Sequence, residues 1–323
     1  APSAPLSALA SAVNSISCYN EATGSAEVAV TGGTPPYNYS WSSGHVTVDA
    51  QELTAGIYDV TVTDDRGCEV GDNVTISENP QILSDIIVSD ASCFGSFDGD
   101  ATISSSGGYG THTYNWSTTE TTASINNLSH GDYWVVIEDE LGCIRKDTAY
   151  IGQPDPVSIV LTATNTLCFG DANGMFVATV VGGTPADNTY DYAWSFAGSA
   201  IGTNSNTLTD LSASTQPYQL IATDSNACQG VAYGFIREPK VLELDTSELV
   251  SAYCVNIPTG SVSVVAEGGQ LNTGGAYQFT WDTGVAGAIL PNQTAGSYTV
   301  IVTDDNDCQL SMTIDIPLEE TFG

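Results

Sequence analysis

The sequence predicts an all-β chain, and three observations predict it. Apolar residues recur singly, in alternation, rather than at helical spacing. Glycine, serine, threonine and asparagine are abundant across the 323 residues. One strand-and-turn pattern also returns four times, as GGTPPYNYSW at 32–41, GGYGTHTYNW at 107–116, GGTPADNTYDYAW at 182–194 and GGQLNTGGAYQFTW at 268–281.

The elements of the first repeat follow in order. GSAEVAVTG sets Ala26, Val28 and Val30 against Glu27 and Ala29, one buried face and one wet face of a strand. GGTPP is a turn, because glycine takes positive φ and proline ends the previous ladder. YNYSW then alternates Tyr37, Tyr39 and Trp41 with Asn38 and Ser40, and a weaker strand is expected around His45 to Val48. GIYDVTVTD places Tyr58, Val60 and Val62 opposite Asp59, Thr61 and Thr63, and NVTIS closes with Val74 and Ile76 on one face. With the stretch leading to Cys18, this makes six or seven short strands joined by turns, a sandwich of the immunoglobulin-like kind. Trp41, Trp116, Trp194 and Trp281 are read as core anchors between the sheets. Tyr58, Tyr133, Tyr218 and Tyr298 resemble tyrosine corners, whose hydroxyl bonds nearby backbone.

Eight cysteines, at 18, 68, 93, 143, 168, 228, 254 and 308, sort into pairs 50, 50, 60 and 54 residues apart. Each first cysteine precedes a glycine by six residues and a glycine pair by fourteen; each second cysteine follows a tyrosine by ten and an aspartate by four. Eight cysteines allow 105 connectivities, and the repeat selects one bridge within each copy: Cys18 with Cys68, Cys93 with Cys143, Cys168 with Cys228, Cys254 with Cys308. Zinc is the rival use, but it wants ligands close together in sequence, and no two cysteines here are neighbours. A bridge closing about 50 residues contributes on the order of 4 kcal/mol through the unfolded state and fits an oxidising compartment. Both cysteines lie outside their strands, so the bridge is expected at one end of the sandwich, where neighbouring copies join.

Prolines at 5, 80, 154, 156, 239 and 317 mark the boundaries. The expected division is four tandem domains, 1–80, 81–156, 157–239 and 240–323, the last with a short C-terminal tail. Short proline-bearing linkers should hold them semi-rigidly, end to end. Residues 1–13 read as the first linker and strand; the competing reading lays them across a neighbouring subunit by strand addition.

Lys and Arg together number 5 and the formal net charge is −33, which argues against nucleic acid or an anionic membrane surface as partner. No apolar run reaches the roughly 18 residues of a membrane helix, and no basic-then-apolar leader precedes the first repeat. The chain starts at Ala1, which fits a removed leader or a piece of something longer.

With these spacings the chain resembles the SprB-type repeats of large surface adhesins of gliding bacteria, related in plan to PKD-like and immunoglobulin-like modules. The likeness runs through C, G-S-A-x-V, G-G-T-P-P-Y-x-Y-x-W and L-x-x-G-x-Y-x-V-x-V-x-D-x-x-G-C, matched almost throughout by residues 18–68. Gln216, Ala227 and Asp307 depart from it where glycine stands in other copies. The resemblance implies secretion through the outer membrane by a type IX route and a part in adhesion or gliding. In the same group of bacteria Asp147, Thr148 and Ala149 resemble a D-T-A signal, implying an O-linked sugar on Thr148.

Catalytic chemistry finds little to use. His45, His112 and His130 lack a repeating partner, no nucleophile elbow, zincin helix or phosphate loop occurs, and a repeated module without a repeated catalytic residue is not expected to be an enzyme. No cofactor is expected. Asp64 with Asp65 and Asp304 with Asp305 offer oxygens of the kind calcium takes, against the commoner reading of solvated turn aspartates. The function expected is therefore structural: an extracellular stalk, fibre or filament, with flanking modules or further copies of itself as partners. The alternative is a polysaccharide-binding region, using aromatics in the variable loops such as Tyr190 and Phe196.

Overall fold

The computed structural model describes residues 4–319, so 1–3 of the N-terminal segment and 320–323 of the C-terminal tail lie outside the described residues. All 25 regular elements among the described residues are strands. The chain divides into two compact units, Ala1–Pro154 and Asp155–Gly323.

In the first unit, the first repeat contributes β1 (Ser7–Asn14), β2 (Gly24–Thr31), β3 (Asn38–Trp41), β4 (Asp49–Leu53), β5 (Gly56–Thr63) and β6 (Glu69–Ile76). The second contributes β7 (Leu83–Ser89), β8 (Gly99–Ser106), β9 (Thr113–Trp116), β10 (Ser124–Leu128), β11 (Gly131–Glu138) and β12 (Ile144–Ile151). Each repeat builds two antiparallel sheets, β1-β2-β4 facing β3-β5-β6 and β7-β8-β10 facing β9-β11-β12. This is the strand distribution of an immunoglobulin-like sandwich. Alternation decides the faces: Ala26, Val28, Ala50, Val60, Val62 and Ile76 point between the sheets and are buried together with Trp41.

The second unit repeats the plan. Its first half runs β13 (Ser158–Thr164), β14 (Gly174–Val181), β15 (Asp191–Phe196), β16 (Ser199–Ile201), β17 (Thr207–Leu211), β18 (Tyr218–Thr223) and β19 (Gln229–Gly234). Its second half runs β20 (Lys240–Val250), β21 (Gly260–Gly269), β22 (Gln278–Trp281), β23 (Ile289–Gln293), β24 (Gly296–Thr303) and β25 (Gln309–Ile316). The short β16 extends one sheet to the order β16-β15-β18-β19. Here Phe176 stacks on Trp194 at 6.0 Å and meets Tyr218 edge-on at 5.7 Å.

The weak strand expected around His45 to Val48 is displaced. Those residues form a loop, and the strand is Asp49–Leu53. The indole explains the shift: Trp41 Nε1 donates to the Thr47 carbonyl at 3.0 Å and the Trp41 amide to the His45 carbonyl at 2.9 Å. Val46 and Val48 are left exposed, while Ala50 and Leu53 enter the core.

β1 pairs antiparallel with β2 of its own repeat, from Ser7 opposite Thr31 to Asn14 opposite Ser25. β7, β13 and β20 pair with their own second strands in the same way.

The joint between repeats as candidate functional site

Within a repeat the chain enters at one end of the sandwich and leaves at the other. The leading end is organised by the glycine pair. Gly32 and Gly33 have φ of 68° and 65°, and a Cβ on Gly32 would lie 1.9 Å from the Pro5 carbonyl oxygen, so only glycine lets the turn close on the incoming linker. Tyr37 seals this turn through a hydroxyl donated to the Gly32 carbonyl at 2.6 Å. Tyr190 and Tyr277 do the same at Gly182 and Gly268, and His112 Nε2 stands 3.2 Å from the Gly107 carbonyl.

Beside the turn sits a buried aspartate. Asp64 Oδ1 accepts from the amides of Arg66 and Cys68, both at 2.9 Å, and Oδ2 from Thr34 at 2.9 Å. Asp139, Asp224 and Asp304 repeat the arrangement on Cys143, Cys228 and Cys308. The Cys68 amide, foremost among these donors, holds the Asp64 carboxyl below its ordinary value against the opposing effect of burial. For Asp139, burial pushes upward, and the amides of Cys143, Tyr109 and Leu141 overcome it, leaving the carboxyl lowered. Asp64 and Asp304 are therefore buried acceptors rather than solvated turn residues.

The trailing end is built on a different contact. Gly24 faces the last strand, and a Cβ there would come within 2.6 Å of the Ile76 side chain; Gly99, Gly174 and Gly260 meet Ile151, Ile236 and Ile316 equally closely. The Cys18 loop is stapled here, with the Ile16 amide donating to the Ser77 carbonyl at 2.9 Å and the Asn79 amide to the Ile16 carbonyl at 3.3 Å.

The two cysteines of a repeat thus stand at opposite ends of strands eight residues long, which span about 25 Å. A disulfide needs Cα atoms within about 7 Å. The bridge expected within each repeat is therefore excluded, and the structure links consecutive repeats. Cys18 bonds Cys143 (Cα–Cα 5.4 Å), and Cys168 bonds Cys308 (Cα–Cα 5.7 Å), so the first cysteine of one repeat joins the second cysteine of the next. Cys68 and Cys254, expected in bridges with Cys18 and Cys308, are free thiols and exposed. Cys93 and Cys228 are not free. The expectation of a bridge at one end of the sandwich, where copies join, survives; its partner is the neighbour.

The joint within each unit is a cleft. In the first unit Cys18, Tyr19 and Glu21 face Pro80, Ile82 and Arg145. In the second, Asn306 Nδ2 donates to the Leu167 carbonyl at 2.9 Å, a side-chain tie across the joint beside the sulfurs.

The aromatic residues take these places. Trp41, Trp116, Trp194 and Trp281 are buried, each indole donating to a carbonyl of the following loop at 2.9–3.0 Å. Tyr58, Tyr133 and Tyr298 donate to the carbonyls of Thr54, Ser129 and Thr294, four residues upstream. In the third repeat, where Gln216 replaces glycine, Tyr218 reaches six residues back to Ser212. Ala227 and Asp307 hold the positive φ of the glycines they replace, 65° and 63° against 81° at Gly67. Tyr190 and Phe196, expected as exposed contacts for polysaccharide, are half-buried; Tyr190 closes its glycine turn and Phe196 stacks on Tyr218 at 4.5 Å. Thr148 is exposed on β12, opposite Trp134. His45, His112 and His130 occupy separate loops, without a common centre.

Three segments of the chain, 10–46, 86–121 and 160–198, match the SprB repeat family. No curated protein matches the chain. Among solved structures, the N-terminal eight immunoglobulin domains of Down Syndrome Cell Adhesion Molecule share 11% identity over 96% of this chain and 49% of that one, with a TM-score of 0.29. This chain therefore spans about half of that structure. Three N-terminal domains of the bacteriophage RB49 Highly Immunogenic Outer Capsid protein share 16% identity over 72% of this chain and 98% of theirs, TM-score 0.31. Sidekick-1 immunoglobulin domains 1–5 share 10% over 94% and 78%, TM-score 0.30. At such scores these likenesses carry no argument about function.

Proposed function

From the three segments that match the SprB repeat family, we propose that this chain is a non-enzymatic, extracellular structural and adhesive protein: a stalk or fibre of four immunoglobulin-like domains at the cell surface. The division is 1–80, 81–156, 157–239 and 240–323, each with a hydrophobic core of its own. The observation that carries the reading is the covalent link between consecutive repeats. A bridge inside a domain stabilises that domain; a bridge across a joint resists bending and separation of neighbours, which is what a stalk requires and a catalytic scaffold does not. Disulfides also fit an oxidising exterior.

A second reading, polysaccharide binding, loses Tyr190 and Phe196 but retains a specific surface. Trp134 is half exposed and lines a shallow depression with Lys146, Asp147 and Thr148. An exposed indole is a platform on which a sugar face can stack. An O-linked sugar on Thr148, which the D-T-A resemblance implies, would stand in the same depression.

Antibody against the chain, applied to intact and to permeabilised cells of the source organism, tests the leading reading. Surface labelling of intact cells is expected. Label that appears only after permeabilisation rules out the stalk.

A further inference from the structure

The bridging rule leaves two half-bridges. A first cysteine pairs with the second cysteine of the following repeat, as Cys18 with Cys143 and Cys168 with Cys308. Under that rule Cys68 awaits a first cysteine on its leading side, and Cys254 awaits a second cysteine on its trailing side; residues 1–323 hold neither complement. We propose that Cys254 of one copy of this chain bonds Cys68 of the next, joining copies head to tail through the same joint that joins repeats. The proposal rests on the stalk reading, since it needs an oxidising exterior.

Two observations beyond the free thiols support it. The first is preorganisation. The Cys68 amide donates to Asp64 Oδ1 at 2.9 Å and the Asp64 amide to the Cys68 carbonyl at 3.0 Å; the bridged Cys143 makes the same pair with Asp139 at 2.9 and 3.1 Å. Cys254 likewise accepts from the Ile257 amide at 3.4 Å, as bridged Cys18 and Cys168 accept from Glu21 and Asp171 at 3.3 Å. Both free cysteines stand in turns already shaped for a bridge. The second is exposure. Bridged Cys143 and Cys308 are 8% and 9% exposed, while Cys68, their counterpart, is open to solvent. Around Cys254 the side chains of Tyr253, Val255 and Ile257 are exposed, an apolar rim. In the internal joint of the first unit the corresponding loop, with Tyr19, faces the incoming linker and the Cys143 turn of the next repeat. The occupant that fits this rim is a second copy's leading end, with Pro5, Leu6 and Cys68.

The chemistry is thiol–disulfide exchange with a disulfide oxidant, small-molecule or protein. One thiol loses its proton and attacks the oxidant, expelling one thiolate; the second thiolate attacks the resulting mixed disulfide and expels the other. Two thiols are oxidised to one disulfide, the oxidant is reduced to two thiols, and the two protons pass to the departing thiolates.

The test uses the full chain with Cys68→Ser and Cys254→Ser variants, both changes at exposed positions, in oxidised glutathione. Wild type should form a ladder of multimers on non-reducing gels. A mixture of the two variants should stop at dimers whose digest yields the peptide linking Cys254 to Cys68 at least tenfold above either symmetric pair. Symmetric dimers in comparable amount, monomers capped by glutathione alone, or a bridge from Cys68 to Cys254 within one chain would each overturn the proposal. Surface labelling of cells is independent of these results, so the joint can fail while the stalk stands.

Discussion

At the scale of single residues, the side chain that does most per atom is the aspartate four places before each second cysteine. It turns a loop of backbone amides into a satisfied site. Asp139 is buried, and the amides of Cys143, Tyr109 and Leu141 keep it ionised in spite of that burial. A carboxyl lowered on folding stabilises the native state above the unfolded value, near pH 4, and that contribution is lost as pH falls through the folded value. Replacing Asp139 by Asn removes the charge and turns an N–H toward donors, an arrangement that costs about 1–3 kcal/mol. Wild type should therefore unfold at higher temperature than Asp139→Asn at pH 7, with the gap narrowing as pH drops below 4. A gap independent of pH down to 2, measured by calorimetry, would show that the carboxylate charge is not what organises the turn.

At the scale of elements, the sandwich and its joint are held by different forces. Each sandwich owns its core, whereas the joint is a cleft with a bridge over it. Reduction of Cys18–Cys143 removes a closure of separation 125, a constraint of about 5 kcal/mol on chain entropy, without exposing Val60 or Val62. Hydrogen exchange should show the amides of Asn20 and Asn79 at the trailing end speeding up under reductant while those of β5 keep their protection. Simultaneous loss of protection in β5 would mean that the bridge holds the domain and not the joint. Much of this architecture was legible in the sequence: alternation placed β2, β3, β5 and β6, and the indoles and tyrosines fell into packed or corner positions because a pleated strand leaves them little choice. The disulfide partners were not legible from spacing, because equal separation in every copy fits a bridge within a repeat and a bridge to the neighbour equally well. Nor did strand order help: Cys18 lies between the first and second strands and Cys68 between the fifth and sixth, and strict up-and-down alternation would put both turns at one end. They fall at opposite ends because β3 and β4 run in the same direction, one in each sheet. The half-burial of Tyr190 and Phe196 was hidden for another reason: their partners, the Gly182 carbonyl and Tyr218, are fixed by tertiary packing and not by local pattern.

At the scale of the whole molecule, the governing quantity is a net charge of −33 carried by 323 residues. Like-charged copies repel over the Debye length, about 30 Å at 0.01 M salt and about 8 Å at 0.15 M. The ends proposed to meet offer little to offset this. Around Cys68 stand Asp65 and Glu69 with Arg66 the only cation near in sequence, and near Cys254 the exposed Glu248 and Glu319 add further negative charge. Attraction at the joint is therefore apolar and short-ranged, and the long-range field opposes encounter. Salt screens the second and leaves the first nearly untouched. The initial rate of Cys254–Cys68 cross-linking in the full chain should accordingly rise several-fold when sodium chloride goes from 10 to 150 mM, and should change little between 150 and 500 mM, where the Debye length is already shorter than the joint. The rate is read from the linking peptide by mass spectrometry, with a small-molecule thiol at matched concentration correcting for the chemistry of exchange itself. A rate that falls with salt would mean that the two ends attract through complementary charge, and the apolar account of the contact would give way to an electrostatic one.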